Sequence, residues 1–222
     1  GDGTFLSCAR AVENRSTPIL GIHLGDLGFL AKVTLGNIFQ RLDQVSNGLF
    51  TVEKRSMVKA SILKNGNSLT QYGLNDFVVS NGESHRMLIA EVYVDDNRVS
   101  EYKADGLIIA TPTGSTAYSL SSGGPIISPD VDSFVITPIS AHTLNSRPLV
   151  VSAMSSIRIQ FSPYNENILL ITDGQLHELL TAQDTVIITD SDFEIGLIDF
   201  EDDDYFQTLR TKIGWGARGG SN

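Results

Sequence analysis

A run of apolar residues that ends just before a proline constrains this chain most strongly. Residues 107–110, Leu-Ile-Ile-Ala, predict a buried strand, because four consecutive apolar side chains cannot face water on alternate sides. Pro112 ends the pairing, since it has no N–H to donate. Small hydroxyl and glycine residues follow at 113–116, then a short helix-compatible run at 117–121 and a Gly-Gly-Pro stop at 123–125. This strand, turn and helix start suit the phosphate or ribose oxygens of a nucleotide. An ordinary strand-to-helix turn explains the pattern equally well.

A second glycine-rich signal stands at the start of the sequence, Gly1-Asp2-Gly3. Two glycines around an aspartate let the backbone approach a ligand closely while the carboxylate points into the same space. Taken alone, an ordinary Asp-Gly turn is the simpler interpretation.

Together these segments resemble the NAD kinase family over nearly the whole chain. The most specific string is Thr-Pro-Thr-Gly-Ser-Thr-Ala-Tyr-Ser at 111–119. The resemblance implies an enzyme, a phosphotransferase to an alcohol group. It would move the γ-phosphoryl group of ATP, another nucleoside triphosphate or polyphosphate to the 2′-hydroxyl of the adenosine ribose of NAD, giving NADP. The matching segments, in family order, are residues 1–6, 20–30 (Leu-Gly-Ile-His-Leu-Gly-Asp-Leu-Gly-Phe-Leu), 74–76, 105–125, 147–149 and 209–215.

The predicted fold is part of a Rossmann-like α/β domain joined to an all-β domain. Many short alternating runs with close turn signals indicate an antiparallel β domain, and the resemblance implies two stacked sheets. We predict an α/β part at 1–48 with the Gly-Asp-Gly phosphate loop, a β-rich NAD-binding domain at 49–198, and a C-terminal helix and tail at 199–222 that returns to the α/β part. Predicted elements include helices at 4–13, 35–45 and 205–212, strands at 19–23, 50–62, 77–79, 88–94, 134–136, 157–161, 168–172 and 185–189, and a hairpin turn at Asn65-Gly66.

The family's phosphate loop reads Gly-Gly-Asp-Gly and follows several strands and helices. This sequence opens inside that motif, without its first glycine. We therefore expect a chain lacking the N-terminal part of the α/β domain to bind NAD-type ligands yet to phosphorylate weakly.

The resemblance assigns roles to residues near the phosphate loop and the first Asn-Asp pair. Asp2 matches the family's proton acceptor, with Gly3 as a close backbone contact and Phe29 packing on the ligand or in the core. Asn75 and Asp76 match the pair that holds ribose hydroxyls, where many members have Glu in place of the shorter Asp76. An amide beside a carboxylate offers the donors and acceptors that a diol requires, although Leu-Asn-Asp before a strand is also an ordinary turn.

Further binding residues follow from the same resemblance. Arg86 and Lys103 match cations near the dinucleotide, and Asp105 matches a carboxylate beside the nicotinamide half. We expect Lys103 and Asp105 to share one side of a strand. Tyr118 could stack on a base and Thr116 could donate a hydrogen bond. The complete predicted NAD-binding set is Asp2, Gly3, Phe29, Asn75, Asp76, Arg86, Lys103, Asp105, Thr116, Ala117, Tyr118, Ser119, Leu120, Ser121 and Gln175.

The composition and charge of the chain limit the classes of partner that it is expected to bind. A formal net charge of -10 argues against nucleic-acid binding, which needs basic patches. Because NAD and ATP are themselves polyanions, backbone amides, Mg²⁺ or another divalent cation, and a few placed cations must offset the global charge. Arg10, Arg86, Lys103 and Arg147 are the candidates. No apolar run is long enough to span a bilayer, so no membrane partner is expected.

The remaining expectations concern the single cysteine, the acidic run near the end, the oligomeric state and the alternative functions. Cys8, the single cysteine, fits a cytoplasmic location and predicts a small core residue. The acids at 201–204 predict helix capping rather than a metal site, and no metal ligands are assigned. The family implies a homodimer or homotetramer. The alternatives are a lipid kinase that shares the Gly-Gly-Asp-Gly loop, and a non-catalytic NAD(P)-binding protein.

Overall fold

β-strands are the predominant regular structure of the described residues. The computed structural model describes residues 2–25, 28–64, 66–82, 87–143, 145–201 and 204–214. The helices in those ranges are α1 (Asp2–Val12), α2 (Ile38–Ser46), α3 (Tyr118–Ser121) and α4 (Tyr205–Ile213). The strands are β1 (Ile22–His23), β2 (Val33–Thr34), β3 (Thr51–Lys64), β4 (Asn67–Gly73), β5 (Asp76–Ser80), β6 (Leu88–Val94), β7 (Asn97–Ala104), β8 (Gly106–Ala110), β9 (Ser133–Ile139), β10 (Leu149–Ser152), β11 (Ile157–Phe161), β12 (Ile168–Thr172), β13 (Leu176–Leu180) and β14 (Thr185–Asp199).

The chain forms two compact units. The terminal unit comprises residues 1–55 and 195–222, and the β unit comprises residues 56–194. The long strands β3 and β14 each contribute to both units, because their ranges cross these boundaries. Both passages of the chain between the units therefore lie inside strands rather than in loops.

Two six-stranded sheets carry the β unit. Their strand orders are β4-β3-β14-β11-β6-β7 and β10-β9-β8-β5-β12-β13. In the second sheet β5 pairs antiparallel with both β8 and β12. The predicted two-sheet antiparallel β domain is confirmed.

The main core lies between the inner faces of these sheets. Alternate residues of β6 and β11 are buried, as the two-residue period of a strand requires. They join Phe77, Leu107 and Phe134 of the second sheet in one apolar cluster. Burial of one face of each sheet against the other is what stabilises the sandwich.

The centre of the second sheet is buried on both faces. Every residue of β8 is buried. Val78 of β5 and Ile108 of β8 pack on the face away from the main core, with Ile127 and Val135. The buried strand predicted from the apolar run is confirmed, and the second cluster explains why its side chains are apolar on both sides.

The hairpin at Asn65-Gly66 is confirmed by the pairing of its flanking strands. Lys64 of β3 pairs with Asn67 of β4, which leaves a two-residue loop. Gly66 has a φ of 78°, the left-handed conformation that this loop requires. Asn65 lies outside the described residues.

Two predictions about the first helix of the terminal unit need correction. The first helix begins at Asp2 rather than at residue 4, so the carboxylate lies in the first helical turn, where the helix dipole favours it. Cys8, expected in the core, is exposed, because the buried positions of α1 are Phe5, Leu6 and Ala9 on another face.

The next two predicted elements are shorter than expected. Only Ile22–His23 of the predicted strand at 19–23 pairs in the small parallel sheet, with β2. Ile19 instead makes an isolated bridge to Leu197. The second helix begins at Ile38 rather than residue 35, because Asn37 Oδ1 accepts a 2.8 Å hydrogen bond from Thr34 N–H and holds a turn there.

The acidic run before the last helix acts partly as predicted. Asp204 caps α4 by accepting a 2.8 Å hydrogen bond from Phe206 N–H. Gly214 ends the helix in the left-handed conformation, with a φ of 65°. Asp202 and Asp203 lie outside the described residues.

We expect Leu107→Ala to lower the free energy of unfolding by about 2–5 kcal/mol, because it leaves a cavity in the fully buried centre of the sandwich. Leu69→Ala is the matched control, since Leu69 is 43% exposed on β4, and it should change stability by less than about 1 kcal/mol. Urea unfolding of both variants checks this. Equal losses would contradict the assignment of Leu107 to the core.

Candidate active site

Three strand ends meet at one edge of the second sheet. β5 begins at Asp76, and its antiparallel neighbours β8 and β12 end at Ala110 and Thr172. The turn before β5, residues 74–75, therefore lies beside the turns that follow β8 and β12. This edge collects most of the residues predicted to hold the dinucleotide.

Asp173 clamps the turn from the β12 side. Its Oδ1 accepts hydrogen bonds from Asn75 N–H (2.8 Å) and Asp76 N–H (3.2 Å), and its Oδ2 accepts one from Leu74 N–H (3.1 Å). In return, Asp173 N–H donates to the Asp76 carbonyl at 2.9 Å. A carboxylate that accepts hydrogen bonds from three consecutive N–H groups fixes the direction of the backbone between them.

Thr111 clamps the same turn from the β8 side. Its Oγ1 donates to the Leu74 carbonyl at 2.6 Å, and its N–H donates to the Asn75 carbonyl at 2.9 Å. Gly114 lies so close that a Cβ there would be 2.1 Å from the Asn75 carbonyl oxygen. The Asn75 backbone is thus held on both its N–H and its carbonyl side, which pre-organises the side chains that follow.

Asp76 is a buried carboxyl group at this edge, 4% exposed. Burial, and to a lesser extent the Asp173 carboxylate, raises the pKa of Asp76 from 3.8 to about 7. Among the described residues, no side chain donates a hydrogen bond to its carboxylate. Keeping such a group in the fold costs stability, and costly polar burial of this kind is typical of binding sites.

The small-residue stretch after β8 forms a 3-10 turn at Gly114–Thr116 and then α3. Ser115 Oγ accepts a 3.0 Å hydrogen bond from Ile127 N–H and donates to the Pro112 carbonyl at 2.6 Å. Ser119 Oγ lies 2.9 Å from Thr137 Oγ1 and is fully buried. The hydroxyls of Ser115 and Ser119 therefore hold the turn together from inside.

The other members of this predicted stretch differ in exposure. Tyr118 is 47% exposed and Ser121 is exposed, so their side chains face solvent. Thr116 Oγ1 donates to the Thr113 carbonyl at 3.2 Å. Ala117 and Leu120 are partly buried. Tyr118 and Ser121 are thus the exposed members of this predicted stretch.

Lys103 and Asp105, which were expected to share one side of a strand, each pair with another residue. Lys103 Nζ lies 3.0 Å from Glu101 Oε1, two residues away on the same side of β7. β7 ends at Ala104, so strand alternation no longer applies to Asp105. Asp105 Oδ1 instead lies 3.7 Å from Nε2 of His142. Both pairs are well exposed and contribute little to stability.

Two further predicted residues are Gln175 and Arg86. Gln175 is exposed in the three-residue turn between β12 and β13, two positions after Asp173. Its N–H donates to the Thr172 carbonyl at 2.9 Å. Arg86 lies outside the described residues.

The terminal unit carries the other predicted group, around Asp2. Phe29 N–H donates to Asp2 Oδ2 at 3.2 Å. The Phe29 ring is 6.5 Å from the ring of Tyr205 at the start of α4. The carbonyl of Gly3 accepts a 3.3 Å hydrogen bond from Ser7 Oγ in the first turns of α1. Gly1 lies outside the described residues.

Comparison with known proteins decides the family. The family model described as ATP-NAD kinase N-terminal domain matches residues 1–50, and the one described as ATP-NAD kinase C-terminal domain matches residues 74–200. The chain belongs to the NAD kinase family. The family and the enzyme class predicted from the sequence, an NAD kinase, are thereby confirmed.

Curated NAD kinases align with almost the whole chain. One from Syntrophotalea carbinolica is 45% identical over 219 residues, which cover 98% of this chain and 77% of the relative. One from Thermoanaerobacter sp. is 44% identical over 214 residues, covering 96% of this chain and 76% of the relative. The chain therefore spans about three quarters of the length of these NAD kinases.

Two solved structures share the fold. Yeast NADH kinase complexed with NADH superposes with a TM-score of 0.93 at 27% identity, covering 100% of this chain and 66% of the yeast chain. An NAD kinase from Archaeoglobus fulgidus in complex with ATP gives a TM-score of 0.80 at 27% identity, covering 95% of this chain and 79% of the archaeal chain. The predicted fold class is confirmed by these two neighbours.

Two further observations apply to the described residues alone. No helix among them is long and apolar enough to cross a membrane. No group of three or more His, Cys, Asp or Glu side chains among them is arranged to hold a metal ion.

The sequence patterns did not predict a site role for Asp173 and Thr111, the two residues that clamp the turn. Asp173 stands in an Asp-Gly pair, which predicts a turn but does not reveal which N–H groups the carboxylate accepts. Thr111 precedes Pro112 and reads as the end of a strand. Neither pattern contains a signal for contacts with residues 74–76.

We expect Asp76→Asn to stabilise the protein in a pH-dependent way. The raised pKa means that wild-type stability falls as pH rises from about 4 through about 7, where the buried carboxyl ionises. The neutral amide avoids this cost, so Asp76→Asn should be more stable at pH 8 by roughly 2–4 kcal/mol, and the difference should vanish near pH 4. Urea unfolding at both pH values checks this. A difference of the same size at both would contradict it.

We expect Asp173→Asn to loosen the clamped turn. Asparagine keeps the left-handed backbone at this position but replaces one acceptor oxygen with a donor, which should cost about 1–3 kcal/mol. Amide hydrogen exchange should rise at residues 74–76. Asp192→Asn, an exposed aspartate paired with Lys59, is the control and should leave that exchange unchanged. Unchanged exchange in Asp173→Asn would exclude the clamp.

Proposed function

We propose that this protein is an NAD kinase that transfers the γ-phosphoryl group of ATP to the 2′-hydroxyl of the adenosine ribose of NAD. In this reaction the 2′-oxygen forms a bond to phosphorus, the bond from the γ-phosphorus to the bridging oxygen breaks, and ADP leaves. The proton of the hydroxyl passes to a base. The products are NADP and ADP. The observation that carries the proposal is the doubly clamped turn with the buried Asp76 in a chain of this family.

Asn75 and Asp76 are proposed to hold ribose hydroxyls. The side-chain amide of Asn75 supplies both donors and an acceptor, and the carboxylate of Asp76 supplies acceptors. The clamps of Asp173 and Thr111 support this role, because a backbone fixed before binding reduces the entropy lost when the ligand is ordered. A ribose hydroxyl that donates to Asp76 would also satisfy a group whose burial is costly.

Asp2 is proposed as the base. A ribose hydroxyl is a weak nucleophile at neutral pH, so a positioned carboxylate that accepts its proton assists the attack. Its contact with Phe29 N–H supports this role, since a general base must be held in one orientation. Gly3 is proposed as a neighbouring backbone contact.

ATP, or another nucleoside triphosphate or polyphosphate, is proposed as the donor, with Mg²⁺ or another divalent cation arriving on its phosphate oxygens. When bound, the cation would neutralise phosphate charge that a protein of net charge -10 would otherwise repel. The ATP complex of the archaeal relative supports this choice of donor.

The remaining predicted residues are proposed as secondary contacts to the dinucleotide. Tyr118 is proposed to stack on a base, and the exposure of nearly half of this residue supports that role. Lys103 and Arg86 are proposed as cations for the phosphates, and Asp105 as a polar contact to the nicotinamide half. Phe29, Gln175 and the rest of residues 116–121 complete the set. A cytoplasmic location, a homodimer or homotetramer and the lack of nucleic-acid or membrane partners stay predictions.

The reaction itself is tested by incubating the purified full-length protein with NAD, ATP and Mg²⁺ and measuring NADP with an NADP-specific dehydrogenase. We expect NADP to accumulate only when all three are present. Binding of NAD without NADP would favour the non-catalytic alternative. Phosphorylation of diacylglycerol without NADP would favour the lipid kinase.

We expect Asp2→Asn to lower kcat by about 10²–10⁴-fold while the Kd for NAD changes little, because general-base assistance acts only in the transition state. Asp43→Asn, an exposed aspartate of α2 in the same unit, is the matched control and should keep wild-type kcat. Loss of NAD binding by Asp2→Asn with normal residual turnover would contradict the base assignment.

A further inference from the structure

The carboxylate of Asp2 is packed against a glycine. Its Oδ2 accepts the 3.2 Å hydrogen bond from Phe29 N–H. Its Oδ1 is buried and accepts no hydrogen bond from any described residue. The space beside Oδ1 is the space that a side chain of Gly28 would occupy. The carboxylate and the backbone of this turn thus fit together only because residue 28 has no side chain.

The distances at Gly28 show how tight the fit is. A Cβ built on Gly28 would lie 2.0 Å from Asp2 Oδ1, 2.8 Å from Cγ and 3.0 Å from Oδ2. All three atoms belong to the carboxyl group, so an added methyl group would collide with it directly. Gly28 does not have the positive φ that would by itself require glycine. The requirement at this position is therefore space, not backbone conformation.

The turn that carries Gly28 is held by a backbone hydrogen bond and by buried neighbours. Gly28 N–H donates to the Ala31 carbonyl at 3.4 Å, and Leu30 and Ala31 are buried. Gly21 contacts this turn just as closely, since a Cβ there would lie 2.6 Å from the Leu30 carbonyl oxygen.

The helix that carries Asp2 is anchored as well. Phe5, Leu6 and Ala9 of α1 are buried in the terminal unit. With both backbones held, the movable part of the contact is the carboxyl group itself. A side chain at position 28 would rotate or displace that group.

We propose that Gly28 is a positioning residue for the reaction. It makes room for the Asp2 carboxyl group in the orientation that the Phe29 N–H fixes, and any larger residue turns the carboxylate away from the ribose hydroxyl. The proposal rests on the proposed function, in which Asp2 is the base. It adds Gly28 as a residue that affects turnover only through the orientation of Asp2.

The chain offers a matched control at Gly25. A Cβ built on Gly25 would meet no atom within 4 Å, and its φ lies outside the positive range that favours glycine. Gly25→Ala also keeps the carbonyl that lies 2.7 Å from His23 Nδ1. Gly25→Ala and Gly28→Ala therefore make the same chemical change a few residues apart, and only the second reaches Asp2.

The test measures kcat, KM for NAD, Kd for NAD and Tm for the wild type, Gly28→Ala, Gly25→Ala, Asp2→Ala and the double variant Asp2→Ala/Gly28→Ala. Gly28→Ala should lower kcat by about 10²-fold, because small displacements of a catalytic group have effects of that order, and should leave the Kd for NAD within about twofold. Gly25→Ala should keep the wild-type kcat, KM and Tm.

The double variant distinguishes positioning from a general loss of structure. If Gly28 acts through Asp2, Gly28→Ala should have no further effect on kcat once the carboxylate is gone. For the same reason Gly28→Ala should lower Tm in the wild type but much less in the Asp2→Ala background. Should Gly28→Ala alone fail to fold, recovery of the fold in the double variant supports the contact, and failure there overturns it.

Other outcomes would overturn the inference or the function separately. Wild-type kcat in Gly28→Ala, or an equal loss of kcat in both backgrounds, overturns the positioning role while Asp2 stays the base. Wild-type kcat in Asp2→Ala removes the base assignment and the positioning role with it. In that case the Tm comparison still reports whether the packing contact exists, so the two failures are distinguishable.

Discussion

The Asp173 carboxylate accepts hydrogen bonds from three consecutive backbone N–H groups. The candidate binding edge of the β unit depends on this interaction. Without it, the residues before β5 would leave buried donors unsatisfied, since Leu74 is fully buried and Asp76 nearly so. Thr111 completes the arrangement by binding the carbonyls of the same turn. The turn can be fixed in this way because the antiparallel order β8-β5-β12 brings the start of one strand between the ends of its two neighbours.

The electrostatics of this edge oppose the stability of the fold. Two carboxyl groups, Asp76 and Asp173, lie at one buried place in a chain that already has a net charge of -10. Asp173 is compensated by the N–H groups that it accepts, whereas Asp76 shows the cost as a raised pKa. The apolar core between the sheets contributes the stability that offsets this cost. A ligand that donates hydrogen bonds to Asp76 would relieve it.

In the terminal unit, the orientation of a carboxyl group depends on the space around it as well as on a hydrogen bond. Asp2 is oriented by one N–H group and by the missing side chain of Gly28, in contrast to Asp173, which is oriented by three N–H groups. Glycines in this chain thus have different reasons to be glycine. Gly66 and Gly214 adopt left-handed backbones, while Gly28 and Gly114 allow a carboxylate and a carbonyl to approach.

The local pattern of the sequence predicted the strands that have a regular apolar face. β6, β11 and β12 have the predicted bounds, because alternation is visible wherever one face of a strand enters the core. The strands β10 and β13 were not predicted, and the bounds of β7 were not given. All three are edge strands, and β10 and β13 consist mostly of exposed residues, so they lack the alternation that marks a core-facing strand.

By itself the sequence determined the family and the presence of an antiparallel β domain, because these depend on motifs and on local periodicity. The family resemblance then implied the two sheets and most of the candidate site residues. Only the tertiary structure decided which groups orient those residues. Asp173 binds the N–H of Asn75 from 98 positions away, Thr111 binds the carbonyl of Leu74 from 37, and Phe29 binds Asp2 from 27. A hydrogen bond or close contact across such separations depends on how strands and helices pack, and packing leaves no periodic signal along the chain.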